Sequence, residues 1–371
     1  MRLRDLGVAI GEGRPGPANA ITDVPGVRVG HVTLIEGHGP LVVGRGPVRT
    51  GVTVVLPHDG DLGREPVFAG AHRLNGNGEM TGLEWIRESG LLTSPVALTN
   101  TSSVGVVRDA LVALEARGRV PDEISWALPV VAETWDGRLN DIDGFHVKAA
   151  HVEAAVAAAL GPAGTAVAEG NVGGGTGMIC HAFKGGIGTS SRLVELPGVA
   201  FTLGVLVQAN YGRRLRLRLD GVPIGGAIPT SEVPSPWEAA PAAHEGAGSI
   251  IVLVATDAPL LPHQLTRLAQ RPALAIGRVG GTGANDSGDL MLAFSTAQRG
   301  VTARGREGPI VTLRALAIDQ LDALFVAAIE ATEEAIWNAL VAATTMVGRD
   351  GITAHAIPHD RLLEAWHRAR G

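Results

Sequence analysis

A single cysteine, Cys180, occurs in 371 residues. That excludes an intramolecular disulfide and leaves any cysteine-based metal site short of ligands, so Cys180 reads as a buried thiol. Aromatic residues make up 4% of the chain, and lysine occurs only as Lys148 and Lys184, so nearly all the basic side chains are arginines. With 31 Lys and Arg against 37 Asp and Glu the net charge is −6, and no basic tract offsets it, which argues against a nucleic-acid surface. No run of about 18 uninterrupted apolar residues is present, so no membrane span is expected. Met1-Arg2-Leu3-Arg4-Asp5 is not followed by the apolar core of a signal peptide, and a cytoplasmic location is expected.

What is abundant is small and apolar: 51 glycines, and a hydrophobic fraction of 45%, enough for a sizeable core. The length suggests about two domains. No linker separates two independently patterned halves, however, so one domain spanning residues 1–371 is expected.

The chain is organised around residues 245–260, EGAGSIIVLVATDAPL. Ile250 to Val254 form a continuous, β-branched run, the pattern of a strand covered on both faces. Before it, residues 222–247 carry Pro223, Pro229, Pro234, Pro236 and Pro241, so neither a regular helix nor a central strand persists there. So long a structureless connection calls for an explanation, and one is that the chain is cut at its end, between Gly248 and Ser249. A serine hydroxyl can attack its own preceding carbonyl, shifting the acyl group from nitrogen to oxygen and leaving an ester for water to hydrolyse. The product is an N-terminal serine whose α-amine, with a reference pKa near ~7.7, can serve as general base for the adjacent hydroxyl. The plain alternative is a serine that starts a strand after a loop.

Elsewhere the patterns predict strands at 27–33, 51–57 and 95–100, and a helix after Thr81 with Glu84 completing a capping box and Gly90 ending it. Further helices are expected over 104–116, 146–160, 259–271, 318–346 and 358–369, and strands at 272–280, the PALAIGRVG stretch, and 288–296. Residues 199–219 read as a hairpin whose second arm sets Arg214, Arg216 and Arg218 on one solvated or subunit-facing side and Leu215, Leu217 and Leu219 on the other. Glu133, Asp136, Asn140, Asp141 and Asp143 lie close together, which by composition is a solvated loop or an oxygen-rich cation cage. Gly170 to Gly177 lacks the ending of a phosphate loop, so its glycines read as places where the backbone passes close to another element.

Four separated stretches, VVAETWDGRLNDIDG (130–144), EGNVGGGTGMICHAFKGGIGTSSR (169–192), VLVQANYG (205–212) and GAGSI with GTGANDSGDLMLAFST (281–296), together resemble the DmpA-type aminopeptidases, the L-aminopeptidase/D-esterases and β-peptidyl aminopeptidases. The resemblance implies a four-layer αββα sandwich and a self-processing N-terminal-nucleophile hydrolase. Processing would yield fragments 1–248 and 249–371, assembled into a homotetramer. It implies Ser249 as nucleophile, Asn210 as oxyanion donor, and Ser287 with Asp289 hydrogen-bonded to the nucleophile's hydroxyl and amine. Glu133 would hold the free amine of a small peptide, amino-acid amide or ester; no cofactor or metal is called for. Two departures stand out: Asp289 is one methylene shorter than the glutamate of some members, and Arg138 stands where aminopeptidase members often carry tyrosine. Arg138 therefore leaves open an amidase acting on a non-peptide substrate. From a different class, a non-catalytic glycine-rich binding protein also fits, and self-cleavage at Gly248-Ser249 separates it from the enzymes.

Overall fold

The computed structural model describes residues 1–118, 126–161, 166–238, 248–301 and 308–370. Ten strands build two sheets: β1 (Arg28–Glu36), β2 (Val48–Leu56), β3 (Val67–Gly76), β4 (Leu91–Leu92), β5 (Val96–Asn100), β6 (Val130–Thr134), β7 (Gly186–Leu196), β8 (Val199–Asn210), β9 (Ser249–Thr256) and β10 (Gly288–Ser295). One sheet has the order β1-β2-β5-β6; the other runs β4-β3-β10-β9-β8-β7, with β9 and β10 parallel and its other pairs antiparallel.

Seven helices complete the layers among the described residues: α1 (Leu83–Ser89), α2 (Val104–Arg117), α3 (Ala149–Ala159), α4 (Pro262–Ala269), α5 (Pro272–Val279), α6 (Leu321–Ala342) and α7 (His359–Arg370). The period-two alternation of β9 explains how the layers stack. Ile250, Val252 and Val254 join the core under α4, α5 and α6, whereas Ile251, Leu253 and Ala255 join the core between the sheets with Val55, Leu98 and Ala132. A third core lies under α2 and α3, where Val52, Val54 and Ala97 meet Val107, Leu111 and Val152. The expected αββα sandwich is present, with β9 covered on both faces. No described helix is long and apolar enough to cross a membrane.

Glycines let the two sheets close on the segment between them. A Cβ at Gly174 would lie 2.1 Å from Gln208 Oε1 and 2.7 Å from the Leu98 carbonyl, so residues 173–175 thread between β5 and β8 only as glycine. Buried ion pairs tie the N-terminus to α6. Glu334 receives Arg4 at 2.8 Å and Arg192 at 2.9 Å, and Arg192 is fully buried.

Several expectations are corrected. Residues 211–219 do not form the second arm of a hairpin; β8 pairs with β7 and β9, while Arg214–Arg216 is a single 3-10 turn and Arg218–Leu219 a two-residue ribbon with Val222–Pro223. Arg214 is buried, its guanidinium donating to the carbonyls of Ala182 and Val233 and lying 3.6 Å from the Phe183 ring, while Leu215 is 78% exposed. Burial with acceptors on all sides overrode the alternation. The PALAIGRVG stretch is helix α5, with proline in its first turn and Gly280 as a left-handed C-cap. Thr81 does not cap α1; its hydroxyl donates to the Pro129 carbonyl, and Gly82 occupies the cap. Most of α6 is buried, and of the arginine row only Arg214 is buried, Arg216 and Arg218 being exposed. Residues 239–247 of the proline-rich connection lie outside the described residues; from Pro223 to Glu238 it contains no helix or longer strand.

Candidate active site

Strand register assembles the site. Asn210, the last residue of β8, faces Ser249, the first residue of β9, and Ile250 faces Asp289 on β10. Three chain segments, each about 40 residues from the next in sequence, thus meet at one end of the sheet. Because Ile251 and Leu206 point between the sheets, the period of two puts Ser249 and Asn210 on that same inner face.

Ser249 is buried, and its Oγ receives the Gly288 N–H at 3.0 Å. A donor on that oxygen supports the negative charge that develops as it loses its proton. The Asn210 carboxamide is held at both ends: Oδ1 receives the Ile179 N–H at 2.8 Å, and Nδ2 donates to the Trp135 carbonyl at 2.9 Å. Nδ2 carries two N–H bonds, so one is left to donate to a developing oxyanion. Ser287 donates its hydroxyl to Asp289 Oδ1 at 2.6 Å. Burial raises the Asp289 carboxyl above its ordinary range, against the pull of Ser287 and of the Ile250 N–H. Ser287 and Asp289 are thus bonded to each other, and the hydrogen-bond partner of Ser249 Oγ is the Gly288 N–H rather than either of them. A cavity of about 140 Å³ opens on this pair, lined also by Tyr211, Arg213 and Arg216.

Glu133 ends β6, across the inter-sheet space. Its Oε1 receives the Glu79 N–H at 3.0 Å, and the Thr101 hydroxyl, at the entrance to α2, donates to Oε2. Burial raises this carboxyl too, with those donors opposing. Gly78 joins it to the nucleophile: a Cβ there would stand 3.2 Å from Glu133 Oε1 and 3.0 Å from the Gly288 Cα. Gly78 thus packs between Glu133 and Gly288, whose N–H reaches the Ser249 hydroxyl. A cavity of about 420 Å³ runs outward from Gly78 and Glu79, with Met80, Leu83, Trp85 and Leu290 in its wall.

Asp136, Asn140 and Asp141 form a buried network rather than a solvated loop, while Asp143 is exposed. Asp136, Asn140 and Asp141 are each 1% exposed, and Asp141 receives the N–H groups of Gly44 and Gly46. Burial pushes Asp136 up to about 7. Arg138 donates from Nε to the Pro236 carbonyl at 2.8 Å and lies 5.2 Å from the Trp237 ring, which fixes it against the proline-rich connection. Cys180 is buried as expected, its thiol pushed up to about 12.

Sequence reasoning missed Gly78, Glu79, Gly288 and Ile179, which act through backbone atoms. Only the glycines carry a signal, and that signal needs the partner strand to be read. Tyr211, the sole tyrosine, is buried in the wall of the smaller cavity, and it too escaped notice.

Peptidase family S58 matches residues 19–354. The β-peptidyl aminopeptidase BapA of Sphingosinicella microcystinivorans is 52% identical over 97% of this chain and 90% of its own. Among solved structures, a β-aminopeptidase of Burkholderia sp. superposes with a TM-score of 0.90 at 53% identity, covering 99% of both chains. The L-aminopeptidase D-Ala-esterase/amidase of Ochrobactrum anthropi, described as a prototype for the serine aminopeptidases and a variant of the Ntn hydrolase fold, gives 0.88 at 45% identity over 100% and 99%. With match and fold in agreement, the chain belongs to peptidase family S58 and is an aminopeptidase on the Ntn hydrolase fold.

Proposed function

We propose that Ser249 first cuts the chain at Gly248-Ser249 and then, as a free N-terminus, removes the N-terminal residue of small peptides or amino-acid amides. The observation that carries this reading is the alignment of Asn210, Ser249 and Asp289 at three adjacent strand ends, with a backbone donor already on the Ser249 hydroxyl.

In processing, Oγ bonds to the Gly248 carbonyl carbon and the C–N bond to Ser249 breaks, the nitrogen keeping the pair and taking the hydroxyl proton. Water then hydrolyses the ester, releasing residue 248 as a carboxylate. In turnover the freed α-amine accepts the Oγ proton as Oγ attacks the substrate carbonyl and passes it to the leaving amine; water then hydrolyses the acyl-serine ester, releasing the N-terminal residue as its acid and returning a proton to Oγ. Asn210 donates to the oxyanion in both events. Ser287 and Asp289 order the amine and hydroxyl, and Glu133 pairs with the substrate's ammonium group. Similarity to enzymes named β-peptidyl aminopeptidase supports peptides with an N-terminal β-amino acid as the first substrates to try.

Intact-mass measurement and N-terminal sequencing test the cut: fragments 1–248 and 249–371 are expected, and an active, uncut chain overturns it. Assembly of processed protomers into a tetramer belongs to the same proposal; light scattering at the mass of one protomer would contradict it. So does a cytoplasmic setting, which cell fractionation tests.

A further inference from the structure

We infer that Lys184, which no part of the chemistry above uses, is a positioning residue for the oxyanion donor Asn210. The inference rests on the reading of Asn210 just given. Residues Ile179–Cys180 and Phe183–Lys184 pair as a small antiparallel ribbon, turned by His181 and Ala182 at φ of 48° and 59°. This ribbon is docked on the end of β8 by two N–H groups. That of Ile179 reaches Asn210 Oδ1 at 2.8 Å, and that of His181 reaches the Tyr211 carbonyl at 2.7 Å. The orientation of the carboxamide therefore depends on where the ribbon sits.

Lys184 holds the neck of the ribbon from inside. It is fully buried, and Nζ donates to the carbonyls of Met178 at 2.7 Å, Gly185 at 2.8 Å and Gly175 at 3.3 Å. Met178 is the residue whose carbonyl shares a peptide unit with the Ile179 N–H, so the ammonium grips one face of the peptide whose other face orients Asn210. No carboxylate lies within ion-pair distance of Nζ among the described residues. Burying an amine this deeply is costly: burial lowers Lys184 to about 7, against the pull of Cys180 and Asp136. Stability alone therefore does not account for a lysine here, whereas three convergent carbonyls at the base of the oxyanion donor do.

The test is a double-mutant cycle on the full-length protein, with rates normalised to the processed fraction. Misplacement of a catalytic group by about 1 Å can cost on the order of a hundredfold. Lys184→Met is expected to lower kcat by roughly ten- to a hundredfold, with KM within about threefold and no change in Tm that tracks the loss of activity. In an Asn210→Ala background the same substitution should change kcat by less than about threefold, because the group it positions is gone. Full additivity of the two losses, or a fall in Tm that tracks the loss of activity, overturns the role of Lys184. Wild-type kcat in Asn210→Ala instead overturns the reading of Asn210, so the two failures are distinct. Should Lys184→Met not fold, Lys184→Gln, which keeps two N–H donors, replaces it in the same cycle with an expected loss of about three- to tenfold. Lys148→Met, at the exposed lysine, is the control and should match wild type.

Discussion

Gly248→Ala separates processing from turnover. The φ of Gly248 lies outside the left-handed region, so its backbone conformation is open to alanine; what excludes a side chain is space. A Cβ there would come within 1.9 Å of the Asn210 carbonyl oxygen, about 1.5 Å short of ordinary contact, and 3.3 Å from the Tyr211 Cα. These are backbone atoms at the end of a central strand, and β8 is held by β7 on its far side, so the scissile residue must move instead. A displacement of about 1 Å at a reacting centre costs on the order of a hundredfold, equivalent to about 2.7 kcal/mol. Processing of Gly248→Ala should therefore slow by at least about that factor, as followed by the disappearance of the intact chain on gels. Once cut, residue 248 is no longer joined to Ser249, so kcat per processed protomer should stay near the wild-type value. Cutting at the wild-type rate would refute the packing argument. A processed variant with similarly depressed turnover would show that the clash disturbs Asn210 itself.

Asn210→Ala removes one oxyanion donor, worth about 2.7–4 kcal/mol, so kcat for amino-acid p-nitroanilides should fall by roughly two to three orders of magnitude; a change in KM alone would exclude that role. Glu334→Ala strands the fully buried Arg192 beside Glu330 and also frees Arg4, and breaking such a pair costs about 3–5 kcal/mol, read as a clear fall in thermal midpoint. Glu133→Gln bears on pH. Only the carboxylate binds an ammonium group, and burial raises this carboxyl, so kcat/KM for substrates with a free amine should climb with pH through a limb above the ordinary glutamate range. That limb should vanish in Glu133→Gln and be missing for N-acetylated substrates in the wild type; its persistence in the variant would remove Glu133 from the amine site.

The parts of this fold that were legible in the chain are those governed by local pattern. The β9 run reads as doubly covered because all its residues are apolar, and it lies between two cores; α6 reads as a helix from its apolar face. Pattern misled where one residue's environment outweighed it. Arg214 sits in alternation with leucines, yet a guanidinium needs many acceptors, and here carbonyls from residues 182 and 233 supply them inside the protein. In α5 the buried residues Pro272, Ala275, Ile276 and Val279 have helical spacing, and that spacing, with Pro272 at its start and Gly280 at its end, is the signal that was passed over. Of the site, Ser249, Asn210, Ser287, Asp289 and Glu133 were named from the sequence, through family resemblance. Their backbone partners were invisible, because an N–H group has no letter of its own.

Both proposed reactions pass through one geometry, and the strand pairing explains why it need not be rebuilt between them. Asn210, Ser249 and Asp289 are fixed by ladders that run the length of β8, β9 and β10, with apolar cores on both faces, so their alignment depends on none of the bonds broken at residue 248. What changes on cutting is confined to the amine. Before it, the Ser249 nitrogen is an amide that cannot accept a proton; afterwards it is a base with a pKa near neutrality, next to the hydroxyl it must activate. A buried carboxyl at Asp289, raised but bonded to Ser287 and the Ile250 N–H, is placed on the adjoining strand to receive that new amine. Processing therefore creates the general base without moving the oxyanion donor, which is why Gly248→Ala and Asn210→Ala should divide so sharply in their effects.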